Sequence, residues 1–228
     1  MSGSLRPGQQ WGTETSAAPD LEVAGSDRRL AEVLASGLSD PLVRFSPPAD
    51  SDLALAVGLV AGAVPTGLAL PLDVLEVTTH EGADVGKWCA VNSVVLGVGP
   101  DRLRPWHRPM ALASVEIDGA TIDAGKATSL VVMNGQYLRG LDVAPRGHPG
   151  DGVAEAQFYA LPPGARRAMR ARLATGAHLP HPAITTRKAR RVVVRAERPV
   201  PLEIDGARAG RITELQLDLR PDAYRLLV

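Results

Sequence analysis

Two apolar periods divide this chain. In its first third, short strands lead into helices: "LEVAG", ending at Gly25, is followed by "SDRRLAEVLAS", where Leu30, Val33 and Leu34 share one helical face. The unit repeats in miniature as "PLVRF", the turn "SPPADS" and the helix "LALAVGL", which Asp52 is placed to cap. From Leu68 onward the pattern becomes β, with brief or alternating apolar runs at "LDVLEVTT", "WCAVNSVVLG", "ASVEIDG", "TSLVVMNG", "VAEAQFYAL", "RRVVVRAE", "PLEIDG", "ITELQLDL" and "YRLLV". About nine such runs, punctuated by Gly, Asp-Gly and Pro, predict a sandwich. One helix interrupts them, "PPGARRAMRARLATG", which opens on proline and closes on Gly176. "DRLRPWHRPM", bracketed by prolines, predicts an irregular connection. Residues 1–20 are polar and without period, an extended arm in which Trp11 is the one residue suited to pin it to the body.

Composition changes this picture little. A length of 228 residues with 45% hydrophobic content is ample for a globular core. Twenty-five basic residues balance twenty-five acidic ones, so no bulk charge points to nucleic acid, and any electrostatic recognition is local. The single cysteine, Cys89, has no disulfide partner within the chain and sits in a strand pattern, as a buried small hydrophobe does. No apolar run approaches the roughly 20 residues that span a bilayer, and the start lacks a signal-peptide core. The expected location is cytoplasmic, with peripheral attachment to a membrane surface left open.

The order of the pieces resembles the bacterial diacylglycerol kinases and the related sphingosine kinases, which transfer phosphate from ATP to a lipid hydroxyl. Asn134-Gly135 at a strand end, Gly140, Pro145 and Asp151-Gly152 are similar to that family's "NG", Gly-rich loop, proline and "DDG". "PLEIDG" resembles its "DGE", with Ala207 where the glutamate would stand, and "CAVNSVVLG" resembles its Asn-bearing strand through Asn92 and Gly97. Upstream, "GSDRRLAEVLAS" lies where the family has GGDGTLNEV, and "PPADSDLALAVGL" where it has a GTxNDxARALG-like run. The aspartates match while the glycines and threonines do not: Arg28-Arg29 replace one Gly-Thr pair, and Pro48-Ala49 replace the other. The resemblance implies an α+β architecture. A reduced, vestigial α/β nucleotide-kinase-like part (21–66, with the last strand 222–228 as a candidate member) follows the arm 1–20. A larger β-sandwich of the lipid-kinase type occupies 67–221.

The resemblance also implies roles. Asp151 matches the base that accepts the lipid hydroxyl's proton. Gly25, Asp27 and Asp52 match the nucleotide site, with Asp52 near the metal, and ATP with Mg²⁺ would be the cofactors of an active member. Asn134, Gly135 and Gly140 match the substrate loop. Each has a plainer reading too, Asp52 as a helix cap and Asp151-Gly152 as a β-turn pair. A phosphate cradle needs free main-chain N–H groups, and proline removes one while arginine adds bulk. The implied function is therefore a diacylglycerol-kinase-like pseudoenzyme, a lipid or small-polar-ligand binding module with a degenerate ATP site. An active lipid kinase is the first alternative. A structural subunit that pairs with a full-length homologue through exposed sheet edges, or forms a homo-oligomer, is the second.

Among the remaining residues, Arg166, Arg167, Arg170, Arg187, Arg190 and Arg191 form a basic cluster in sequence, either a solvated face or a patch for anionic lipid headgroups. Aromatics are not interleaved with it, which speaks against single-stranded nucleic acid. His178 and His181 lack the partners of a zinc site and read as loop histidines, as do the isolated His107 and His148.

Overall fold

The computed structural model describes residues 11–62, 65–81 and 84–228. Half of the arm, residues 1–10, therefore lies outside the described residues. In chain order the elements are β1 (Thr13–Glu14), β2 (Leu21–Ala24), α1 (Asp27–Leu34), β3 (Leu42–Ser46), α2 (Asp52–Val57), β4 (Leu68–Glu81), β5 (Asp84–Ala90) and β6 (Ser93–Gly97). They continue as β7 (Leu112–Ile117), β8 (Ala120–Thr121), β9 (Ser129–Met133), β10 (Tyr137–Leu138), β11 (Leu141–Asp142) and β12 (Ala154–Tyr159). The chain closes with α3 (Arg166–Arg172), β13 (Ile184–Ala189), β14 (Arg191–Ile204) and β15 (Ala207–Leu227). Among the described residues no helix is long and apolar enough to cross a membrane.

The predicted strand-helix units at the start are present. Parallel β2 and β3 lie beside the end of β15, which pairs in parallel with β3 through Arg225↔Leu42 to Leu227↔Arg44. Leu30, Ala31 and Leu34 of α1 are buried with Val23, Val43 and Phe45. Trp11 packs against the same core and meets the His148 ring edge-on at 4.3 Å, so the arm is pinned.

Pairs of runs read as separate strands prove continuous. "RRVVVRAE" and "PLEIDG" are one strand, β14, whose register shifts between Arg195 and Val200, where Pro199 withholds an N–H from the ladder. Its first half pairs with β7 and its second with β6, so β14 turns the corner between the two sheets of the sandwich. "ITELQLDL" and "YRLLV" are likewise one strand, β15, shifted between Arg220 and Tyr224 around Pro221. "WCAVNSVVLG" is the opposite case, broken at Val91-Asn92 into β5 and β6. The edge strand β13, with Arg187 and Lys188 exposed, and the hairpin β10–β11 carry too weak an apolar pattern to be predicted.

The sandwich interior holds Leu75, Val94, Leu130, Ala156, Val194 and Leu215, among others. Strands β6, β9 and β12 are buried on both faces. Leu130 and Val132 point into the sandwich, whereas Val131 and Met133 pack outward against Met169 of α3 and its neighbour Leu173. That double burial explains their unbroken apolar runs.

The β15 shift is pinned by Asp73, an acid in an otherwise apolar stretch of β4. It is 1% exposed, and its two oxygens accept the N–H groups of Asp222 (2.9 Å) and Gly152 (2.8 Å). Burial pushes its pKa from 3.8 up to about 6, against the pull of those two bonds. A carboxyl whose folded pKa is raised stabilises most below its unfolded value and loses that share as pH rises through the folded one. Thermal melts from pH 4 to 7 should show stability declining across the interval between 3.8 and about 6. Asp73→Asn should flatten that interval relative to the parent chain, and an unchanged slope would contradict the assignment.

Candidate functional site

Four turns from distant parts of the sequence converge on one cleft of about 550 Å³. Ser26–Arg28 opens α1, Pro48–Asp52 leads into α2, Arg139-Gly140 joins β10 to β11, and Asp205–Ala207 joins β14 to β15. The last two are two-residue hairpin turns with both central residues at positive φ, 52° and 71° for Arg139-Gly140 and 45° and 77° for Asp205-Gly206. That is the turn whose twist matches the flanking strands, and it explains the glycine after each polar residue.

Three aspartates hold these turns, each through main-chain N–H groups. Asp27 is buried and accepts the Leu53 N–H (3.0 Å) and the Ser51 hydroxyl. Burial pushes its pKa up. Ser51, not Asp52, is the N-cap of α2, with its Oγ accepting the Ala54 N–H at 3.0 Å. The cap predicted at Asp52 is thus displaced by one residue, because the Asp52 carboxylate is engaged elsewhere. Its Oδ2 accepts the Arg139 N–H at 2.6 Å and its Oδ1 the Gly140 N–H at 2.7 Å. Asp205 accepts the N–H groups of Val91 (2.9 Å), Asn92 (2.9 Å) and Ser93 (2.8 Å), and so makes the break between β5 and β6. Burial pushes Asp205 up to about 7 despite those three bonds, with Asp27 adding to the rise.

The cleft's two arginines have protein partners as well, although the buried Nη1 of Arg28 has none. Arg139 grips Asp101 with two nitrogens (2.6 and 2.9 Å) and also pairs with Glu203. Burial opposes its charge, but the two acids prevail and hold its pKa above the usual value. Arg28 bonds Glu32 at 3.1 Å and lies over the Trp88 ring, 4.6 Å from its centroid. Arg139, Asp101 and Glu203 carry no motif signal in the sequence. Asp205 had one, the Asp-Gly pair. Asp73 had one too, as a lone acid in an apolar strand.

The substrate-loop residues divide. Gly140 lines the cleft, whereas Asn134 is buried and its Nδ2 donates to the carbonyls of Asp73 (3.0 Å) and Val91 (2.9 Å). Gly135 lies so close to Asn92 that an added Cβ would stand 2.4 Å from its Oδ1. Asp151 is not among the cleft-lining residues. It sits on the turn before β12, where its Oδ1 accepts the Val153 N–H at 3.2 Å. Burial raises its pKa, while Lys188 and His148 pull the other way. Gly25 adopts φ 124° at the end of β2 and bonds the Ser46 carbonyl through its N–H.

The arginine cluster is dispersed in role. Arg166 is 3% exposed and donates to the carbonyls of Leu161, Arg104 and His107, so it belongs to the interior rather than to a surface patch. Arg170 donates to the Leu103 carbonyl, Arg190 to that of Gly152, and Arg191 pairs with Asp218 at 2.9 Å. Arg167 and Arg187 are exposed. His178, read as a loop histidine, lies in a turn and is buried there against Tyr159, with ring centroids 6.3 Å apart. Cys89 is buried, and burial pushes its thiol up to about 12. Among the described residues no three His, Cys, Asp or Glu side chains group so as to hold a metal ion.

A small parallel α/β layer joined through shared strands to a β-sandwich, with a cleft at the junction, defines a kinase-like class of fold. A family model described as the YegS C-terminal NAD kinase beta sandwich-like domain matches residues 102–228, more than half of the chain, and the chain belongs to that lipid kinase family. Among solved structures the chain is similar to a diacylglycerol kinase from Bacillus anthracis str. Sterne, at 18% identity and a TM-score of 0.65, covering 91% of this chain and 76% of that one. It is also similar to yeast NADH kinase complexed with NADH, at 12% identity and a TM-score of 0.57, covering 92% of this chain and 61% of that one. At these identities the likeness concerns the fold. No curated protein sequence matches the chain.

Removing the Asp52 carboxylate leaves two main-chain N–H groups without their acceptor. Asp52→Ala should cost about 1–3 kcal/mol in chemical denaturation. Amide exchange at Arg139 and Gly140 should accelerate well ahead of exchange in β9 and β12. Protection unchanged at those two amides would contradict the role assigned to Asp52.

Proposed function

We propose that this protein is a lipid-kinase family member whose cleft binds a small polar ligand without transferring phosphate. One observation carries the reading: the main-chain amides of the Gly-rich turn, at Arg139 and Gly140, point into the Asp52 carboxylate. Amides so engaged do not cradle an anion. The opposite turn is short of such donors, since neither Pro47 nor Pro48 has an N–H to offer.

ATP with Mg²⁺ is the pair implied by the family, and these residues fit it poorly. Both oxygens of Asp52 already accept hydrogen bonds, as do those of Asp27 and Asp205, so a cation bound there would share its oxygens with the donors that hold the turns. Of the two arginines of the cleft, Arg139 is held by Asp101 and Glu203, whereas Arg28 pairs with Glu32 through Nε and lies over Trp88 while its buried Nη1 has no protein partner. What the cleft does offer is a shelf of Pro48, Ala49 and Leu55 facing polar turns, a lining suited to a compact molecule with one apolar edge. The kinase names of the fold neighbours make a lipid headgroup, or a nucleotide without a triphosphate, the first ligands to try.

A second reading, an active ATP-dependent lipid kinase, rests on Asp151, whose raised pKa suits a general base. Two measurements separate the readings. Calorimetric titration with ATP and Mg²⁺ should give no binding tighter than about 1 mM. Incubation with diacylglycerol in mixed micelles should give no more phosphorylated lipid than the Asp151→Asn variant gives. Sustained turnover that Asp151→Asn abolishes would overturn the proposal in favour of the kinase.

A further inference from the structure

The loop between β6 and β7, predicted as irregular, presents Trp106 with 73% of its surface exposed, the most exposed of the large hydrophobics among the described residues. It is not a loose excursion. The buried guanidinium of Arg166 donates to the carbonyls of Arg104 and His107, both at 2.7 Å, and Arg170 donates to that of Leu103. These two arginines thus fix the backbone of this loop against α3, with the Trp106 indole standing out from it. A tryptophan carried on an anchored backbone presents a large apolar body with a polar N–H, the side chain suited to a boundary between water and an apolar phase.

Beside it runs a groove of about 340 Å³ between the loop and the bulged corner of β14. Three arginines line it, Arg108, Arg198 and Arg211, and no acid does. Its floor is apolar, with Met110 and Val200 between the prolines at 109, 199 and 201. Among the described residues none of these three arginines, nor Arg104 or Arg167 nearby, is within ion-pair distance of a carboxylate. Arg102, by contrast, is taken by Asp101 and Glu203. In a chain of zero formal net charge, an uncompensated set of cations around an exposed indole is a local feature that solubility does not explain.

We propose that Trp106 and the groove of Arg108, Arg198 and Arg211 dock this protein on a membrane surface rich in anionic phospholipid, the groove receiving the phosphate of a headgroup. Indole rings settle at the headgroup level of bilayers, and cationic side chains near an anionic leaflet add attraction that salt screens. The surface is distinct from the cleft. It is also distinct from the sequence cluster at Arg187, Arg190 and Arg191, which spans β13, the residue after it and the start of β14.

Co-sedimentation of the full chain with vesicles tests it. The protein should pellet with vesicles of phosphatidylcholine and phosphatidylglycerol, not with phosphatidylcholine alone, and high salt should release it. Arg108→Glu with Arg198→Glu should weaken binding by at least about tenfold, and Trp106→Ala should weaken it several-fold. All three positions are exposed, and unchanged thermal melts would establish that the variants fold. Equal binding to neutral vesicles would overturn the proposal, as would indifference to these variants. So would loss of binding on Arg187→Glu with Arg190→Glu instead. If inorganic phosphate or glycerol phosphate binds the groove as tightly as vesicles do, the site serves a soluble anion and the docking proposal fails.

Discussion

A carboxylate that accepts main-chain N–H groups is the interaction on which this architecture depends. It recurs wherever the backbone departs from a regular element near the cleft. Asp205 takes three amides at the break between β5 and β6, and Asp73 takes one at the β15 shift and one at the turn before β12. Asp27 and Asp52 do the same for the start of α2 and the β10–β11 turn. Turns and bulges leave donors that neither helix nor ladder can satisfy, and an unmet buried donor costs about 1–3 kcal/mol. An ionised carboxylate meets two or three at once, but burial then raises its own pKa, as at Asp73 and Asp205.

The same arrangement settles how the two halves are joined. Strands β4 and β15 run through both, contributing Leu72 and Leu226 to the core under α1, and Leu75 and Leu217 to the sandwich. The cleft lies at this junction because turns from both halves end there. Its aspartates, which could be read as ligands for a metal or nucleotide, have their oxygens directed at protein amides. That direction is what separates a binding cleft from a catalytic one in the proposed reading, since phosphoryl transfer needs donors and metal aimed at the substrate.

Arginine placement follows a similar logic. A run of arginines in sequence marks a surface only if each side chain reaches solvent. Arg166 instead satisfies the carbonyls of a proline-bracketed loop that has no ladder to join, and in doing so sets Trp106 outside. The uncompensated charge then falls to arginines far apart in sequence, at 108, 198 and 211, which the β14 corner brings to one groove.

Local chemistry in the sequence determined a good deal. The strand-helix units, the sandwich runs, the Asp-Gly turn and the burial of Cys89 all follow from apolar period and turn residues, and the order of the glycine turns pointed to the lipid kinase family. Which runs fuse into one strand and which break was decided by tertiary contacts, because a proline bulge inside β14 and a loop between strands look alike until the neighbouring ladder is in place. What each aspartate faces was decided there too. A carboxylate's partner is a backbone amide supplied from up to 149 residues away, as from Asp222 to Asp73, and main-chain amides carry no signature in the amino-acid sequence.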